Sequence, residues 1–298
     1  MEFTRRLLEQ FLVLAEEKHF GRAAERLAMS QPPLSQAIQR LERGLEVTLL
    51  DRGPGGIRLT PAGAAFAGEA RRLLDAQSAA VERVRRVARG LEGDVRVGYV
   101  SILSHHHLPR LLRTAADELP GLRVLVHQDT TATLVDMVRS GTLDLAFIRD
   151  PSPVTDELTL RAFADERVVA ALPHEHPLAG ADAISLGDLR EDAFVLPSST
   201  TLPGLAAQSQ LACRDAGFTP HCRVEADDLS GLLGYIAAGL CVGILPEDLR
   251  HFPVPGIAFV PLRETSPYLR TTVAAVHRPD ADAAVHRLLD LIARHTGR

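Results

Sequence analysis

The sequence is poor in the residue types that mark disulfide-bonded and zinc-finger proteins. It contains 3 cysteines, 3 methionines and no tryptophan in 298 residues, and only 4% of its residues are aromatic. The cysteines at positions 213, 222 and 241 are odd in number and include no C-x-x-C pair. This pattern excludes a disulfide framework and a zinc finger. We therefore expect three reduced cysteines with small, buried side chains.

Long apolar runs and a leading signal segment are also missing. Glu2, Arg5, Arg6 and Glu9 interrupt the start of the chain, so no charged segment is followed by an apolar stretch of signal-peptide length. No apolar run reaches the length that spans a bilayer. These absences predict a cytoplasmic protein without a membrane partner.

Charge is distributed unevenly along the chain. The whole sequence has a formal net charge of -5 and is 46% hydrophobic, which is enough for two or three domains with buried cores. Residues 1–90 carry 15 Arg and Lys against 11 Asp and Glu, and residues 91–298 carry 18 against 27, out of 33 and 38 in all. A basic N-terminal part on an acidic remainder favours contact with nucleic acid at one end only.

The stretch 20–44 has the pattern of two short helices joined by a tight turn. Alanines and a leucine give the first helix a small apolar face, and Ser30 is a favourable N-cap for the second. In the second helix Leu34, Ile38 and Leu41 recur at i, i+4 and i+7 and must face inward. The opposite stripe carries amide, hydroxyl and guanidinium groups that can hydrogen-bond base edges and phosphates. Its members are Gln31, Ser35, Gln36, Gln39, Arg40 and Arg43.

The residues around this helix pair distinguish a DNA-binding unit from an ordinary helical hairpin. Taken alone, an amphipathic helix pair is more typical of a hairpin. Here an apolar helix precedes the pair, and Leu49-Leu50-Asp51-Arg52, a turn at Pro54-Gly55-Gly56 and the segment Ile57–Gly63 follow it. The ordered block FGRAAERLAMSQPPLSQAIQRLE through RLTPAG resembles the N-terminal winged helix-turn-helix of LysR-type transcriptional regulators.

The resemblance implies a DNA-binding transcriptional regulator that is not an enzyme and uses no cofactor. Its contacts with a double-stranded DNA operator are expected from the second helix and the wing: Ser30, Gln31, Pro32, Ser35, Gln36, Gln39, Arg40, Arg52 and Arg58. Within this set we expect Ser35, Gln36 and Gln39 to reach base edges. Arg52 and Arg58 are expected to reach the DNA backbone or the minor groove.

One position departs from the family pattern at the end of the second helix. Glu46 stands where the family usually has a glycine with positive φ. A non-glycine residue in that conformation is strained by about 1 kcal/mol. Gly44, two residues earlier, is a candidate to take over the role.

A long helix is predicted from Thr60-Pro61, where a capping threonine precedes a first-turn proline. Residues that are apolar at all positions but one, Gln77, then recur every three or four positions: Phe66, Ala70, Leu73, Gln77, Ala80, Val84, Val87 and Leu91. This period of 3.5 residues is typical of a helix that pairs along a seam. The alternative is a helix packed on its own domain. The resemblance implies a linker helix that forms a homodimer, with two dimers assembling into a homotetramer.

After residue 94 the pattern changes to alternating strands and helices. Apolar runs at 95–100, 122–127 and 143–148 enclose two helices, which predicts a β-α-β-α-β unit with a parallel sheet. A second unit follows, and the segment 269–277 is expected to return to the first. The predicted fold class is α/β multidomain: a winged helix-turn-helix at 1–60, the dimerising linker helix at 61–91 and an effector-binding domain at 92–298. Lobe I of that domain is 92–162 with 267–298, lobe II is 163–266, and together they resemble periplasmic binding proteins.

Loops at the carboxyl ends of the strands are the expected place for a ligand, because helix N-termini there offer unpaired N–H groups. Hydroxyl side chains before helices are usually plain caps, but several such loops are predicted to converge on one cleft. The candidate effector-binding residues are Ser101, Thr131, Arg149, Ser199, Thr200 and Asp227. They predict a small organic acid as the effector. In resembling family members, residues matching Arg149 and Thr131 hold aromatic or unsaturated carboxylates.

Arg149 ends a predicted buried strand, where its guanidinium needs a partner. One alternative is a carboxylate ligand bound in bidentate fashion. The other is a structural ion pair with Asp150 or Asp129. The sequence leaves both alternatives open.

Three other functions have less support in the sequence. The run His105-His106-His107 cannot hold one metal ion, because consecutive helical residues point about 100° apart, and no metal motif accompanies it, so no metal site is expected. A cleft hydrolase acting through Ser198 or Ser199 with a histidine lacks the G-x-S-x-G elbow. A solute-binding protein matches the two lobes but not the DNA-binding block or the missing signal segment.

Overall fold

The computed structural model describes residues 3–53, 56–104, 107–149, 157–251 and 254–296. The chain separates into two units, Met1–Arg85 and Arg86–Arg298. Within the described ranges, none of the helices combines the length and apolar composition that crossing a bilayer requires.

The N-terminal unit contains three helices, a β-hairpin and the start of a long helix. Its elements are α1 (Arg5–Glu17), α2 (Phe20–Arg26), α3 (Gln31–Leu45), β1 (Leu50–Gly53), β2 (Gly56–Leu59) and α4 (Pro61–Ala88). The inward face predicted for α3 is confirmed, because Leu34, Ile38 and Leu41 are fully buried in one core with Phe11 and Leu14 of α1. Burial of this stripe leaves the polar stripe of α3 on the outside.

The residue that ends α3 is a glutamate in a left-handed conformation. Glu46 has φ 58° and ψ 28°, whereas Gly44 lies inside the helix. The expectation that Gly44 replaces the family glycine is therefore wrong. Glu46 adopts the positive φ itself, at a cost of about 1 kcal/mol, and its amide donates to the carbonyl oxygens of Arg43 and Glu42.

The first turns of α4 belong to the core of the N-terminal unit. Thr60 caps the helix as predicted, since its Oγ1 accepts the Gly63 amide at 2.9 Å. Ala70 is fully buried, and the Phe66 ring packs edge-on against Phe11 with the ring centroids 5.0 Å apart. The first two positions of the predicted seam therefore pack within their own unit.

The remainder of α4 is exposed to solvent. Residues 75–88 are all exposed, and so are the apolar side chains of Leu73, Val81, Val84 and Val87. Val84 is exposed to 68% of its surface. An apolar row on an otherwise charged helix is an unfavourable surface for a lone helix in water.

The C-terminal unit combines a mixed sheet with a smaller parallel strand pair. Its strands are β3 (Gly93–Tyr99), β4 (Leu122–Gln128), β5 (Leu145–Arg149), β6 (Thr159–Pro173), β7 (Ala193–Pro197), β8 (His221–Ala226), β9 (Gly243–Pro246), β10 (Ile257–Val260) and β11 (Arg270–His277). Its helices are α5 (His107–Glu118), α6 (Thr131–Arg139), α7 (Pro203–Asp215), α8 (Leu229–Ala237) and α9 (Ala283–Thr296), and a 3-10 helix, Glu247–His251, follows β9.

The long strand β6 connects two groups of strands. β3 pairs in parallel with β4 and β5, which confirms the first predicted β-α-β-α-β unit. β11 pairs antiparallel with β5 and β6, so the predicted return of 269–277 to this unit is also confirmed. The second half of β6 pairs instead with β9 and β10, and the change of partner falls between Arg167 and Val168.

Three details of this unit differ from the sequence-based expectation. The sequence pattern predicts this strand only at 167–172, whereas β6 begins at Thr159, because its first half is largely exposed and lacks an apolar pattern. The short strand β10 is not predicted at all. Cys222 is exposed, so the expectation of three buried cysteines is wrong at that position, although Cys213 and Cys241 are buried.

Candidate functional site

The outward face of α3 presents the polar side chains that the sequence assigns to DNA. Ser35 is half-buried, and the other members of the set on this helix and its N-cap are exposed: Ser30, Gln31, Pro32, Gln36, Gln39 and Arg40. Ser30 occupies the N-cap position as predicted, but its side chain makes no capping hydrogen bond. Its hydroxyl is therefore not committed to the helix, and the whole stripe is accessible to a groove of DNA.

The β1–β2 hairpin holds its two arginines differently. Glu42 of α3 anchors the hairpin, because its Oε1 accepts two main-chain amides at 2.8 and 3.1 Å. The Arg52 guanidinium lies 5.1 Å from the centroid of the Phe20 ring and 3.9 Å from Glu42 Oε2. Arg58 is exposed on β2. Arg52 is thus positioned by protein contacts, and the hairpin tip at 54–55 lies outside the described residues.

A cavity of about 310 Å³ lies at the carboxyl ends of the strands in the C-terminal unit. Four of the six predicted effector residues line it, namely Ser101, Thr131, Arg149 and Asp227. The structure therefore brings together the loops that follow β3, β4 and β8 and the carboxyl end of β5, as the strand order predicts.

The other two predicted residues, Ser199 and Thr200, do not line the cavity. The Leu202 amide donates to the Ser198 carbonyl at 2.9 Å, which closes a turn and leaves Ser199 and Thr200 exposed at its tip. Thr201, the next residue, lines the cavity in their place. The predicted loop reaches the cavity through Thr201 and not through Ser199 or Thr200, because the direction of a turn side chain depends on how the turn closes.

Thr201 and the start of α7 contribute polar groups to the cavity that the six candidate residues do not include. Thr201 Oγ1 is buried and has no hydrogen-bond partner among the described residues. Leaving a buried hydroxyl unsatisfied costs about 1–3 kcal/mol. α7 begins at Pro203 without a capping side chain, and Gly204 of its first turn lines the cavity. Both features favour a ligand that offers hydrogen-bond acceptors.

Arg149 has a protein partner, although not one that the sequence suggests. Its Nη1 lies 2.9 Å from Glu166 Oε2 and donates to Thr271 Oγ1 at 3.1 Å. The side chain is buried and lines the cavity, and its Nε has no hydrogen-bond partner among the described residues. Because a guanidinium has five N–H donors, the ion pair with Glu166 leaves donors for a second acid.

Asp129, one of the two ion-pair partners that the sequence names for Arg149, makes other contacts. Asp129 accepts the Thr130 amide at 2.7 Å and lies 3.5 Å from His127. The Thr130 amide is the largest influence on the pKa of Asp129 and, with Thr133 and His127, holds it below its usual value despite partial burial. Asp150 lies outside the described residues. The prediction of an ion pair was right in kind, and its partner is Glu166.

Three helix N-termini contribute to the cavity wall. Thr130 caps α6, Asp228 caps α8 by accepting the Gly231 amide at 2.7 Å, and α7 has no capping side chain. The first residues of all three helices line the cavity. Their partial positive charge favours an anion, and it offsets the carboxylates that also lie there.

The remaining wall is apolar, which the search for polar loop residues did not predict. It is formed by Val100, Ile102, Leu202, Leu205, Leu229 and Leu232. Each of these residues lies next to a polar loop residue in the sequence or one helical turn beyond it. This proximity is the sequence signal by which the apolar wall could have been predicted. A ligand that fits this wall has an apolar body as well as a polar group.

A second group of ionisable side chains lies beside Arg149. Nε2 of His107, at the start of α5, contacts Glu166 Oε1 and lies 2.8 Å from Asp248 Oδ2. Burial lowers the pKa of His107, but hydrogen bonds to Asp248 and Glu166 and the charges of both outweigh it, so the pKa is raised. We refer to His107, Glu166 and Asp248 as the His107 cluster. The neighbouring histidines of the run, at 105–106, lie outside the described residues.

Comparisons with known proteins cover both units. Residues 5–64 match the family described as "Bacterial regulatory helix-turn-helix protein, lysR family", and residues 88–297 match the "LysR substrate binding domain". The chain is 33% identical over 288 residues to the HTH-type transcriptional regulator BudR of Raoultella terrigena, covering 96% of this chain and 99% of BudR.

Solved structures of a similar protein give the same result. The crystal structure of CbnR, a LysR family transcriptional regulator, superposes with a TM-score of 0.89 at 28% identity and covers 97% of this chain and 100% of CbnR. Full-length CbnR complexed with its target DNA superposes with a TM-score of 0.87 at 28% identity, covering 99% and 100%.

Proposed function

The chain belongs to the LysR family of transcriptional regulators, and on this premise we propose that a small organic carboxylate bound in the cavity controls its action at an operator. Family membership makes the protein a DNA-binding regulator with an effector-binding domain. The proposal concerns the chemical class of the effector and the residues that hold it and the DNA.

The observation that carries the effector class is the position of Arg149. Its guanidinium is buried in the cavity wall, and within the described part of the chain it has one carboxylate partner, Glu166, and no hydrogen-bond partner for Nε. An effector carboxylate satisfies the remaining donors with charge-assisted hydrogen bonds. Ser101, Thr131 and Thr201 supply hydroxyl groups for its second oxygen or a further polar group.

The size and lining of the cavity narrow the effector further. A volume of about 310 Å³ is at the lower end of the range for small-molecule sites, which favours a compact acid. The leucines and valine of the wall pack best against an aromatic or unsaturated body. We therefore propose an acid with one flat, apolar part and one carboxylate.

The operator contacts are assigned to the exposed stripe of α3 and to the hairpin. We propose that Ser35, Gln36 and Gln39 read base edges, with Ser30, Gln31, Pro32 and Arg40 at the flanks of the contact. Arg52 and Arg58 contact the DNA backbone or the minor groove. The similarity over nearly the whole chain to CbnR, which was solved with its target DNA, supports this assignment.

Assembly follows from the uncovered part of α4. We propose that the apolar row from Leu73 to Val87 pairs with the same row of a second chain in a homodimer, and that two dimers form a homotetramer. The domain limits predicted from the sequence, with lobes divided at 162/163 and 266/267, belong to the same proposal. A regulator of chromosomal operators acts in the cytoplasm.

We propose no catalytic role for the effector cavity. Ser198 Oγ accepts the Thr200 amide at 3.3 Å, which is a turn contact and not a nucleophile–base pair. Relatives such as BudR are named as transcriptional regulators. Binding and release of the effector account for the features of the cavity without a chemical step.

The experiment combines a gel shift with a thermal-shift screen. The full-length protein is mixed with the DNA upstream of its own gene, and a panel of small aromatic, unsaturated and aliphatic acids is added with the matching amides as controls. A true effector at 100 times its dissociation constant stabilises the protein by about 2.7 kcal/mol and changes the shifted complex. Stabilisation by amides and acids alike would contradict the carboxylate assignment without affecting DNA binding.

A further inference from the structure

The His107 cluster brings together three metal-ligand side chains from three separate elements. His107 begins α5, Glu166 lies in β6 and Asp248 lies in the 3-10 helix after β9. One imidazole nitrogen and one oxygen of each carboxylate all lie within 4.8 Å of one another. The side chains of His107, Glu166 and Asp248 are 12%, 7% and 26% exposed, so the cluster is largely shielded from solvent.

The contacts in the cluster converge on one point. The same Nε2 of His107 faces both Glu166 Oε1 and Asp248 Oδ2. An imidazole nitrogen carries at most one hydrogen, so a single N–H has to be divided between two carboxylates. A cation between the three donor atoms satisfies all of them at once. Bond lengths of about 2.0–2.2 Å in tetrahedral geometry hold the donor atoms further apart than the two contacts of Nε2, so both carboxylates move outward when the ion binds.

Neighbouring side chains orient two of the three ligands. Arg149 Nη1 lies 2.9 Å from Glu166 Oε2, which is the oxygen that does not face His107. The Phe163 ring packs against the His107 ring with the centroids 5.4 Å apart and the planes inclined by 67°. Contacts of this kind fix the orientation of carboxylate and imidazole ligands in metal sites.

A polar crevice gives access to the cluster without passing through the effector cavity. It has a volume of about 590 Å³, is lined by Glu166 and Asp248, and shares no lining residue with the effector cavity. It offers an entry path and space for water molecules that complete a coordination sphere. Other acids and several arginines also line the crevice. Ion binding therefore depends on the three donor atoms of the His107 cluster and not on the overall charge of the crevice.

We propose that the His107 cluster binds one divalent first-row transition-metal ion, represented by Zn²⁺, through His107 Nε2, Glu166 Oε1 and Asp248 Oδ2. One nitrogen and two carboxylate oxygens suit Zn²⁺, Co²⁺ or Mn²⁺ better than Ca²⁺, which takes six to eight oxygen ligands. The carboxylates of Glu166 and Asp248 beside His107 also provide the negative field that attracts a cation. The bound ion ties α5, β6 and the 3-10 helix together.

The proposed site differs from the one that the sequence excludes. The excluded site would use three histidines that follow one another and therefore point in different directions. The proposed site uses only the last of them, and the fold supplies the other two ligands from distant segments. The proposal is independent of the effector class, although its ligand Glu166 also contacts Arg149 in the wall of the effector cavity.

Zinc uptake by the full-length protein tests the proposal. The untagged protein is stripped with EDTA, dialysed against Zn²⁺ and analysed for bound metal by atomic absorption. We expect a single zinc ion per chain, and His107→Gln and Asp248→Asn should each weaken its binding roughly ten-fold or more. Co²⁺ in place of Zn²⁺ gives a visible absorption band that should weaken in the same variants.

His176→Gln is the matched control. Nε2 of His176 lies 3.3 Å from one oxygen of Asp192, its side chain is 13% exposed, and no second carboxylate is described beside it. This variant removes an imidazole of similar burial from a pair that lacks a third ligand. It should bind zinc as the wild type does.

Three outcomes overturn the proposal. The first is no zinc uptake by the wild type, which would leave His107 as a hydrogen-bonding partner of two carboxylates. The second is unchanged uptake in His107→Gln or, if circular dichroism shows that this variant does not fold, in the partly exposed Asp248→Asn. The third is uptake that persists in His107→Gln and disappears in the double variant His105→Gln/His106→Gln, since the neighbouring imidazoles would then hold the metal.

Discussion

Arg149 at the end of β5 forms a buried ion pair with Glu166 of β6, with Nη1 2.9 Å from Oε2, and the same guanidinium lines the effector cavity. One side chain therefore contacts both the proposed ligand site and the strand that changes partners between the two strand groups. A ligand carboxylate that engages Arg149 acts directly on this ion pair. The arrangement connects effector binding to the strand that joins the two groups.

Arg149→Lys should lose most of the response to the carboxylate and keep DNA binding. An ammonium keeps the positive charge beside Glu166 but cannot reproduce the planar donor fork, so we expect roughly ten-fold weaker ligand binding by calorimetry. Arg149→Ala should lose the response altogether and unfold more easily by about 3 kcal/mol, because Glu166 loses its buried partner. A lysine variant that binds the acid like wild type would leave Arg149 as a purely structural ion pair.

Thr201→Val should weaken binding of the same acid without lowering stability. Valine has the shape of threonine, and Thr201 Oγ1 has no partner among the described residues, so the free energy of unfolding should stay equal or rise. Loss of a hydrogen bond to a charged ligand corresponds to roughly ten-fold in affinity. Thr200→Val, at the exposed tip of the same turn, is the control and should bind normally. Equal effects of the two variants would argue against the cavity.

Gln39→Ala and Arg58→Ala should affect DNA binding in different ways. Removing a base-edge contact relaxes preference for the operator over a mutated operator by about 1–3 kcal/mol, whereas removing a phosphate contact weakens all sequences and lowers the salt slope by roughly one. Fluorescence anisotropy at several salt concentrations measures both. Arg113→Ala, an exposed arginine of α5, removes the same charge from the other unit and should change neither quantity.

Charges on the exposed row of α4 should prevent dimerisation. In Leu73→Glu/Val84→Glu the carboxylates would have to be buried without partners in the helix pair. We expect a monomer in analytical ultracentrifugation and poor binding to an operator with two half-sites about 34 Å apart. Ser78→Glu/Ala79→Glu places two carboxylates on exposed positions outside the row and should remain dimeric. Wild-type sedimentation of the first double variant would refute the helix pairing.

Asp144→Asn should lower stability at neutral pH and much less in acid. Asp144 accepts the Arg96 Nε, Nη2 and main-chain amide at 3.0, 2.6 and 2.8 Å. Burial alone would raise the pKa of Asp144, but these bonds and the Arg96 charge hold it below the ordinary 3.8. A lowered pKa in the folded state means that the contribution is present above the unfolded-state value and disappears as the pH falls through the folded-state value.

Solvent screening limits the size of that effect, since the Arg96 side chain is half exposed. We expect Asp144→Asn to lower the free energy of unfolding by about 1 kcal/mol at pH 7. The difference in free energy of unfolding between the variant and the wild type should become smaller as the pH drops below about 4. Denaturant titration at each pH measures this difference. Asp136→Asn, which breaks an exposed pair with Arg139, serves as the control and should change little at either pH.

The sequence by itself determined the elements whose residues interact locally. The inward stripe of α3, the Thr60 cap of α4 and the order of strands and helices after residue 94 follow from periodicity and capping within a few turns of chain. The exposed polar stripe proposed to contact DNA was predicted in the same way, because burial of Leu34, Ile38 and Leu41 leaves only one face of a helix exposed. Such patterns depend on neighbours three or four residues away, which a sequence shows directly.

The tertiary structure alone decided the contacts between distant segments. Pairing of β11 with both β5 and β6 brings Arg149, Glu166 and Thr271 together, and closure of one turn selects Thr201 over Thr200. The meeting of His107 with Glu166 and Asp248 likewise depends on where β6 changes partners and where the 3-10 helix follows β9. Strand register and turn closure set these distances through long-range packing, and no local period in the sequence encodes them.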